Sequence, residues 1–351
     1  MGGTTMASGG QYDRHARVQA SASAFALDIV RRAAEEAALS PPSEPIALAD
    51  YGSATGKNSL APVAVAVEAL RARDPRPILV FHVDQPENDF STLFSTLRSE
   101  PQSYSLGAPS VFGCAVGRSF YEPVLPTGAV SVGWSSAAAH WLSRTPAALT
   151  EHLWAPTARS PGAAPFAEQA RRDWHSFVRL RADELRPGGQ MVVVVATVDE
   201  HGVCGGEHVL DGLDHEARRL VSAGALSHEE YGRMVVPNFF LSRPELEGPF
   251  AHPELRGRLE LIEHVRVIVP DPLWASFETT GNGAAFGAAF VGWLRAFSES
   301  CLFGALGPGR SVDERRRLAD HAYGELGDEI RRQPEAARCA WRMAALRFRK
   351  R

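Results

Sequence analysis

The chain has 351 residues, of which 44% are hydrophobic and 22% are charged, and its formal net charge is −4. These values are ordinary for a globular protein that is long enough for about two domains. The charges follow no basic stripe, the four cysteines lie far apart, and the longest mostly apolar stretch, Gly283–Leu294, is too short to cross a bilayer. We therefore expect a cytoplasmic protein without a disulfide scaffold, a nucleic-acid partner or a membrane partner.

The first ten residues, 1–10, contain no apolar segment typical of a signal peptide, and we expect them to be disordered. After them, helical and strand patterns alternate as far as residue 197. In chain order the predicted elements are a helix over Val18–Ala37, a strand over Ile46–Asp50, a helix over Ala61–Arg73, a strand over Ile78–Val83, a helix over Asn88–Leu97, strands over Val111–Ala115 and Val130–Gly133, helices over Ala137–Ser143 and Phe166–Leu185, and a strand over Met191–Thr197. The alternation predicts an α/β fold built on a mostly parallel sheet.

The sequence changes character near residue 205. Residues 205–300 have mainly helical patterns, which predicts a helical cap subdomain, with a strand near 259–269 that returns to the core. Residues 11–204 are then the α/β core, and residues 301–351 are its C-terminal part.

A glycine-rich turn follows the first predicted strand. It runs from Asp50 through Gly52, Ser53 and Gly56 to Asn58. Glycines let such a turn bend tightly and approach a ligand, and the N-terminus of the next helix attracts an anionic group. The spacing does not match a P-loop or the GxGxxG turn of NAD-dependent oxidoreductases. An acid followed by this glycine spacing favours S-adenosylmethionine, and the alternative is a plain connection between a strand and a helix.

A second acid, Asp84, ends the strand over Ile78–Val83. A carboxylate there can accept hydrogen bonds from the two ribose hydroxyls of a bound nucleotide. The alternative is a plain turn or helix-capping residue before Pro86.

Five motifs, in collinear order, resemble the SABATH family of methyltransferases, which act on salicylate, jasmonate and xanthines. The family turn DLGCSSGPN corresponds to Asp50–Asn58, and the family segment NDLPGNDFNTLF corresponds to Val83–Phe94. Three further motifs follow, and the family pattern SYxxNSxxQ near the start is reduced to three positions. These further matches are Gly117–Pro126, Trp134–Pro146, Glu184–Val192, and the isolated Tyr12, His15 and Gln19.

The resemblance implies a Rossmann-like core that binds S-adenosylmethionine, leaves S-adenosylhomocysteine as product and forms a homodimer. It also implies which residues contact the cofactor and which position the acceptor. The cofactor residues are Tyr12, Asp50, Gly52, Ser53, Asn58, Asp84, Gln85, Ser119 and Phe120, with Asp50 beneath the methionine end. The acceptor residues are Gln19, His140 and Trp141.

This sequence departs from the family pattern in two places. Ala137 replaces the tyrosine of the family motif HSSYSLHW, which should reshape the acceptor pocket. The segments that supply metal ligands in some members are not recognisable, so we predict no bound metal.

We therefore expect a methyltransferase that acts on the carboxylate of a small, aromatic or hydrophobic acid. A carboxylate, with a pKa of about 4, needs no general base at neutral pH. The Gln19 amide and the Trp141 indole N–H can both donate to it. His140 either orients the acceptor or deprotonates a less acidic phenol or ring nitrogen. Methylation of a purine-like ring nitrogen, and cofactor binding without catalysis, are the alternative functions.

Overall fold

The computed structural model describes residues 23–107, 110–157 and 161–351. The described strands are β1 (Ile46–Tyr51), β2 (Ile78–Asp84), β3 (Val111–Gly117), β4 (Val130–Ser136), β5 (Leu185–Val198), β6 (Leu241–Ser242), β7 (Leu259–Ile268) and β8 (Arg342–Lys350). The described α-helices are α1 (Leu27–Glu36), α2 (Leu60–Arg73), α3 (Phe90–Ser99), α4 (Ala164–Glu184), α5 (Asp211–Ser222), α6 (His228–Arg233), α7 (Arg243–Ala251), α8 (Pro272–Thr280), α9 (Gly283–Leu302) and α10 (Val312–Arg332).

The strands form one sheet in the order β3-β2-β1-β4-β5-β8-β7, and β6 pairs with the end of β5. The first five strands are parallel, whereas β8 runs antiparallel to both β5 and β7. The predicted α/β fold on a mostly parallel sheet is therefore confirmed. Because β1, β2 and β4 are parallel neighbours, the polar residues at their carboxyl ends meet at one edge.

Side chains alternate between the two faces of the sheet. Leu48 packs into the apolar cluster that includes α1 and α2, whereas the adjacent Ala49 packs into the cluster that includes α4. This alternation follows from the two-residue repeat of a β-strand. Each face is thus covered by helices, which explains the nearly continuous apolar sequence of the central strands.

Several helices after residue 204 pack on one another, whereas α7 packs against α4. α9 packs against α10, and α10 packs against α5. The segment after residue 300 is divided, because α10 packs on these two helices while β8 joins the sheet. Within the described ranges, no helix has both the length and the apolarity that crossing a bilayer requires. The domain boundaries given above remain predictions.

The prediction of a helix over Ala137–Ser143 is wrong. This segment is an irregular turn, and Trp141 forms an isolated antiparallel bridge with Asn238. The backbone N–H of Leu142 donates to the carbonyl of Pro237 over 2.8 Å. Partners almost a hundred residues away satisfy these backbone groups, so the local apolar spacing did not decide the conformation.

Candidate cofactor and acceptor site

A cleft opens beside the carboxyl ends of β1 and β4. Its lining is mostly polar or small and comes from the glycine-rich turn and the end of β4. The lining residues are Asp50, Gly52, Ser53, Ala54, Thr55, Lys57, Asn58, Ser59, Trp134, Ser136 and Ala137. Four residues predicted from the sequence to contact a cofactor, Asp50, Gly52, Ser53 and Asn58, therefore share one cleft.

The turn after β1 takes a conformation that needs small residues. Gly52 and Gly56 have φ values of +86° and +82°, and Ala54 has a φ of +47°. Side chains are disfavoured in this left-handed region, which glycine adopts without cost. The turn presents its backbone to the cleft for that reason.

Asp84 is tied to the same turn. Its carboxylate accepts hydrogen bonds from the backbone N–H of Ala54 over 2.6 Å and from that of Gln85 over 2.8 Å. The side-chain amide of Asn88 donates to the carbonyl of Ala54 over 2.8 Å. The structure thus brings Asp84 and Gln85 to the glycine-rich turn.

The pKa of Asp84 is raised to about 6, chiefly by burial, and the nearby charge of Asp50 acts in the same direction. The two backbone hydrogen bonds act against this rise because they favour the ionised form. A ligand that donates hydrogen bonds to Asp84 would stabilise the ionised carboxylate further.

Two hydroxyl groups in the cleft have no hydrogen-bond partner among the residues that the structure describes. The Oγ atoms of Ser53 and Ser136 are buried and make no hydrogen bond within the described part of the chain. An unpaired buried hydroxyl costs free energy, so such groups are normally satisfied by a ligand or water. This cleft is therefore suited to a polar ligand.

Asp50 has a partner that the sequence analysis missed. Nδ1 of His82 lies 2.8 Å from Oδ2 of Asp50, and Nε2 of His82 lies 2.7 Å from the hydroxyl of Tyr104. The available signal was a single histidine within the otherwise apolar strand β2.

The loop after β3 lies close to the turn and is held by α4. The buried guanidinium of Arg181 donates to the carbonyl of Phe120 over 2.9 Å and pairs with Glu184 over 2.9 Å. The ring of Phe120 lies 4.7 Å, centroid to centroid, from that of Tyr121. Ser119 is half-buried, and its hydroxyl accepts from the backbone N–H of Tyr121 over 3.2 Å.

His140 and Trp141 lie in the irregular segment after β4. His140 lines a second, small cavity together with residues of α4 and β5. Nδ1 of His140 accepts a hydrogen bond from the backbone N–H of Ala196 over 3.3 Å. Burial lowers the pKa of His140 to about 4, so the imidazole is neutral at pH 7.

The ring of Trp141 packs on α9, with its centroid 6.2 Å from that of Phe297. Within the described ranges its indole N–H has no hydrogen-bond partner. Tyr12 and Gln19 lie outside the described residues.

One group of side chains has the composition of a metal site. The ligand atoms of His175, His252 and Glu254 lie within 4.8 Å of one another, and two of the three residues are exposed. None of them lines the cleft or the second cavity. The absence of a bound metal at the acceptor site remains a prediction.

Comparison with curated proteins shows similarity to methyltransferases. Methyltransferase LUC1 from Fusarium sp is 29% identical over 236 residues, which are 66% of this chain and 62% of that protein. O-methyltransferase acrG from Aspergillus aculeatus is 28% identical over 295 residues, 79% of this chain and 76% of that protein. Gibberellic acid methyltransferase 2 from Arabidopsis thaliana is 32% identical over 169 residues, 43% of each chain. The chain spans 62% and 50% of the length of two of the curated relatives it matches.

Among solved structures, loganic acid methyltransferase with SAH superposes with a TM-score of 0.79 at 19% identity, over 99% of both chains. This similarity confirms the predicted Rossmann-like α/β core. A family model for SAM-dependent carboxyl methyltransferases matches residues 1–305. The family predicted from the motifs is confirmed, and the chain belongs to the SABATH family of SAM-dependent carboxyl methyltransferases.

Proposed function

We propose that this protein transfers the methyl group of S-adenosylmethionine to the carboxylate of a small acid, which yields a methyl ester and S-adenosylhomocysteine. The family assignment supports the reaction type. The buried hydroxyls of Ser53 and Ser136, which have no partner among the described residues, support binding of the cofactor beside Asp50. They are the donors and acceptors that a polar nucleoside with an amino-acid tail would satisfy.

The cofactor, when bound, supplies an electrophilic methyl group on a sulfonium. The proposed contacts form two groups, one for the nucleoside of the cofactor and one for its methionine end. Asp84 and Gln85 would hold the nucleoside, and Asp50 would hold the ammonium group of the methionine end. Gly52 lets the backbone approach, and the remaining proposed contacts are Tyr12, Ser53, Asn58, Ser119 and Phe120.

The acceptor would be positioned by Gln19, His140 and Trp141. His140 is better suited to donate a hydrogen bond to the acceptor than to act as a general base. Because its Nδ1 accepts from Ala196, the hydrogen of the neutral ring lies on Nε2, and a pKa of about 4 makes the ring a weak base. A carboxylate acceptor is already ionised at neutral pH and requires only orientation and exclusion of water.

The test is methyl transfer from labelled S-adenosylmethionine to a panel of aromatic and aliphatic acids, with xanthines in parallel. We expect label in a product that alkali hydrolyses to methanol, as a methyl ester does. Alkali-stable label on a xanthine would favour the ring-nitrogen alternative. Tight binding of S-adenosylhomocysteine without transfer to any acid or xanthine would favour a non-catalytic binding protein.

We also propose that the protein is a homodimer in the cytoplasm. The family resemblance supports the dimer, and four cysteines without disulfide bonds fit a reducing compartment. Light scattering of the purified protein should give twice the mass of one chain, and the mass of a monomer would refute the dimer.

A further inference from the structure

A linear network of hydrogen bonds extends from the cleft into the sheet. It joins Asp50, His82 and Tyr104 through the contacts of 2.8 Å and 2.7 Å described above. The three residues are 1%, 0% and 5% exposed. Polar groups buried to this degree are costly unless each has a partner, and here each one has.

The hydrogen positions in this network follow from the residues at its two ends, Tyr104 and Asp50. Burial raises the pKa of Tyr104 far above its usual value, and the charge of Asp50 acts in the same direction. The Tyr104 hydroxyl therefore stays protonated. The carboxylate of Asp50 can only accept, so Nδ1 of His82 carries a hydrogen and donates to it, and Nε2 faces the Tyr104 hydroxyl.

The sheet makes room for this arrangement. Asp50 on β1 is in register with His82 on β2, which is in register with Ala115 on β3. Two residues before Ala115, a Cβ built on Gly113 would lie 2.9 Å from the hydroxyl of Tyr104. A side chain at position 113 would therefore require the hydroxyl of Tyr104 to shift from its present place beside His82.

The hydrogen-bond network engages one carboxylate oxygen of Asp50 and leaves the other oxygen available. His82 bonds Oδ2, and no hydrogen bond within the described part of the chain engages Oδ1, while Asp50 itself lines the cleft. A carboxylate held at one oxygen can present the other in a single direction.

We propose that His82 is a positioning residue for cofactor recognition. Supported by Tyr104, it holds Asp50 so that the free oxygen meets the ammonium group at the methionine end of the cofactor. This inference rests on the proposed function, because it needs S-adenosylmethionine or S-adenosylhomocysteine in the cleft.

The test compares two ligands by calorimetry. S-adenosylhomocysteine carries the amino-acid tail, whereas 5′-methylthioadenosine has the same nucleoside and sulfur without it. The His82→Leu variant should bind S-adenosylhomocysteine about 10- to 100-fold more weakly, the range for a lost hydrogen bond to a charged group. Its affinity for 5′-methylthioadenosine should stay within about twofold.

Two further variants separate positioning from general disruption. His82→Asn has an amide N–H at the position of Nδ1 and should restore most of the affinity for S-adenosylhomocysteine. Tyr104→Phe removes only the hydroxyl and should weaken binding of that ligand several-fold. If His82→Leu does not fold, Tyr104→Phe decides by the same comparison of ligands.

Unchanged affinity of His82→Leu for S-adenosylhomocysteine would overturn the inference. Equal losses for both ligands would also overturn it, because they would indicate damage to the whole cleft. If the protein without substitutions bound no S-adenosylhomocysteine, both the proposed function and this inference would be refuted.

Discussion

A Cβ built on Gly52 would lie 2.3 Å from the Cβ of Ala138. This separation is shorter than any carbon–carbon contact that a folded protein tolerates. The turn after β1 and the segment after β4 therefore touch only because position 52 has no side chain.

Gly52→Ala should accordingly lower the free energy of unfolding by about 2–4 kcal/mol, through both the steric overlap and the positive φ. It should also weaken binding of S-adenosylhomocysteine. The matched control is Gly128→Ala, because Gly128 has a φ of +71° and open space around the added Cβ. Equal destabilisation of the two variants would show that the contact with Ala138 is not tight.

The raised pKa of Asp84 predicts how cofactor binding depends on pH. If the ionised carboxylate accepts the ribose hydroxyls, affinity for S-adenosylhomocysteine should be constant above pH 7 and fall as pH drops through about 6. Asp84→Asn should bind weakly at every pH. Calorimetry between pH 5 and pH 8 checks both, and a variant with normal affinity would remove Asp84 from the cofactor site.

Asp84 also has a consequence for stability. Its pKa is higher in the folded chain than the usual aspartate value of 3.8, so ionisation of Asp84 at pH 7 disfavours the folded state. Asp84→Asn is therefore expected not to lower the Tm at pH 7, although it loses cofactor affinity. A large fall in Tm would mean that the hydrogen bonds to Ala54 and Gln85 stabilise the fold more than burial of the charge destabilises it.

His140 should make the protein less stable in mild acid. Its pKa in the folded chain is lowered to about 4, so between pH 6.5 and pH 4 the unfolded chain binds the proton more readily. The stability that His140 confers is complete above pH 6.5 and is lost as pH falls toward 4. In that interval His140→Gln should reduce the slope of unfolding free energy against pH by about 1.4 kcal/mol per pH unit. An unchanged slope would mean that His140 is protonated as easily in the folded chain as in the unfolded one.

Trp141→Phe tests the acceptor site. Phenylalanine keeps an aromatic ring near Phe297 but removes the indole N–H, which has no partner within the described ranges. We expect the KM for the acid to rise about tenfold, equivalent to one lost hydrogen bond to a carboxylate, with affinity for S-adenosylhomocysteine within about twofold. An unchanged KM would exclude the indole N–H from acceptor binding.

The backbone geometry at the candidate cofactor site could be predicted from the sequence because the motifs that form it are local. The turn over Asp50–Asn58 and the segment Val83–Phe94 each contain strand, turn and helix start within twelve residues or fewer. The helix start is a case in point, because Asp89 accepts a hydrogen bond from the backbone N–H of Thr92 over 2.9 Å and so caps α3. Short-range backbone geometry decides such features, and the sequence contains all of it.

Tertiary structure alone decided the conformation of the segment after β4 and the hydrogen bonds behind Asp50. The segment Ala137–Ser143 has helical spacing in the sequence, yet its backbone bonds to residues near Asn238 and it is not a helix. The hydrogen bond between Asp50 and His82 depends on the register of β1 against β2. The hydroxyl of Tyr104 lies where a side chain at position 113 would contact it. Local patterns determine which elements form, but contacts between residues distant along the chain depend on how those elements pair and pack, which no short window of sequence contains.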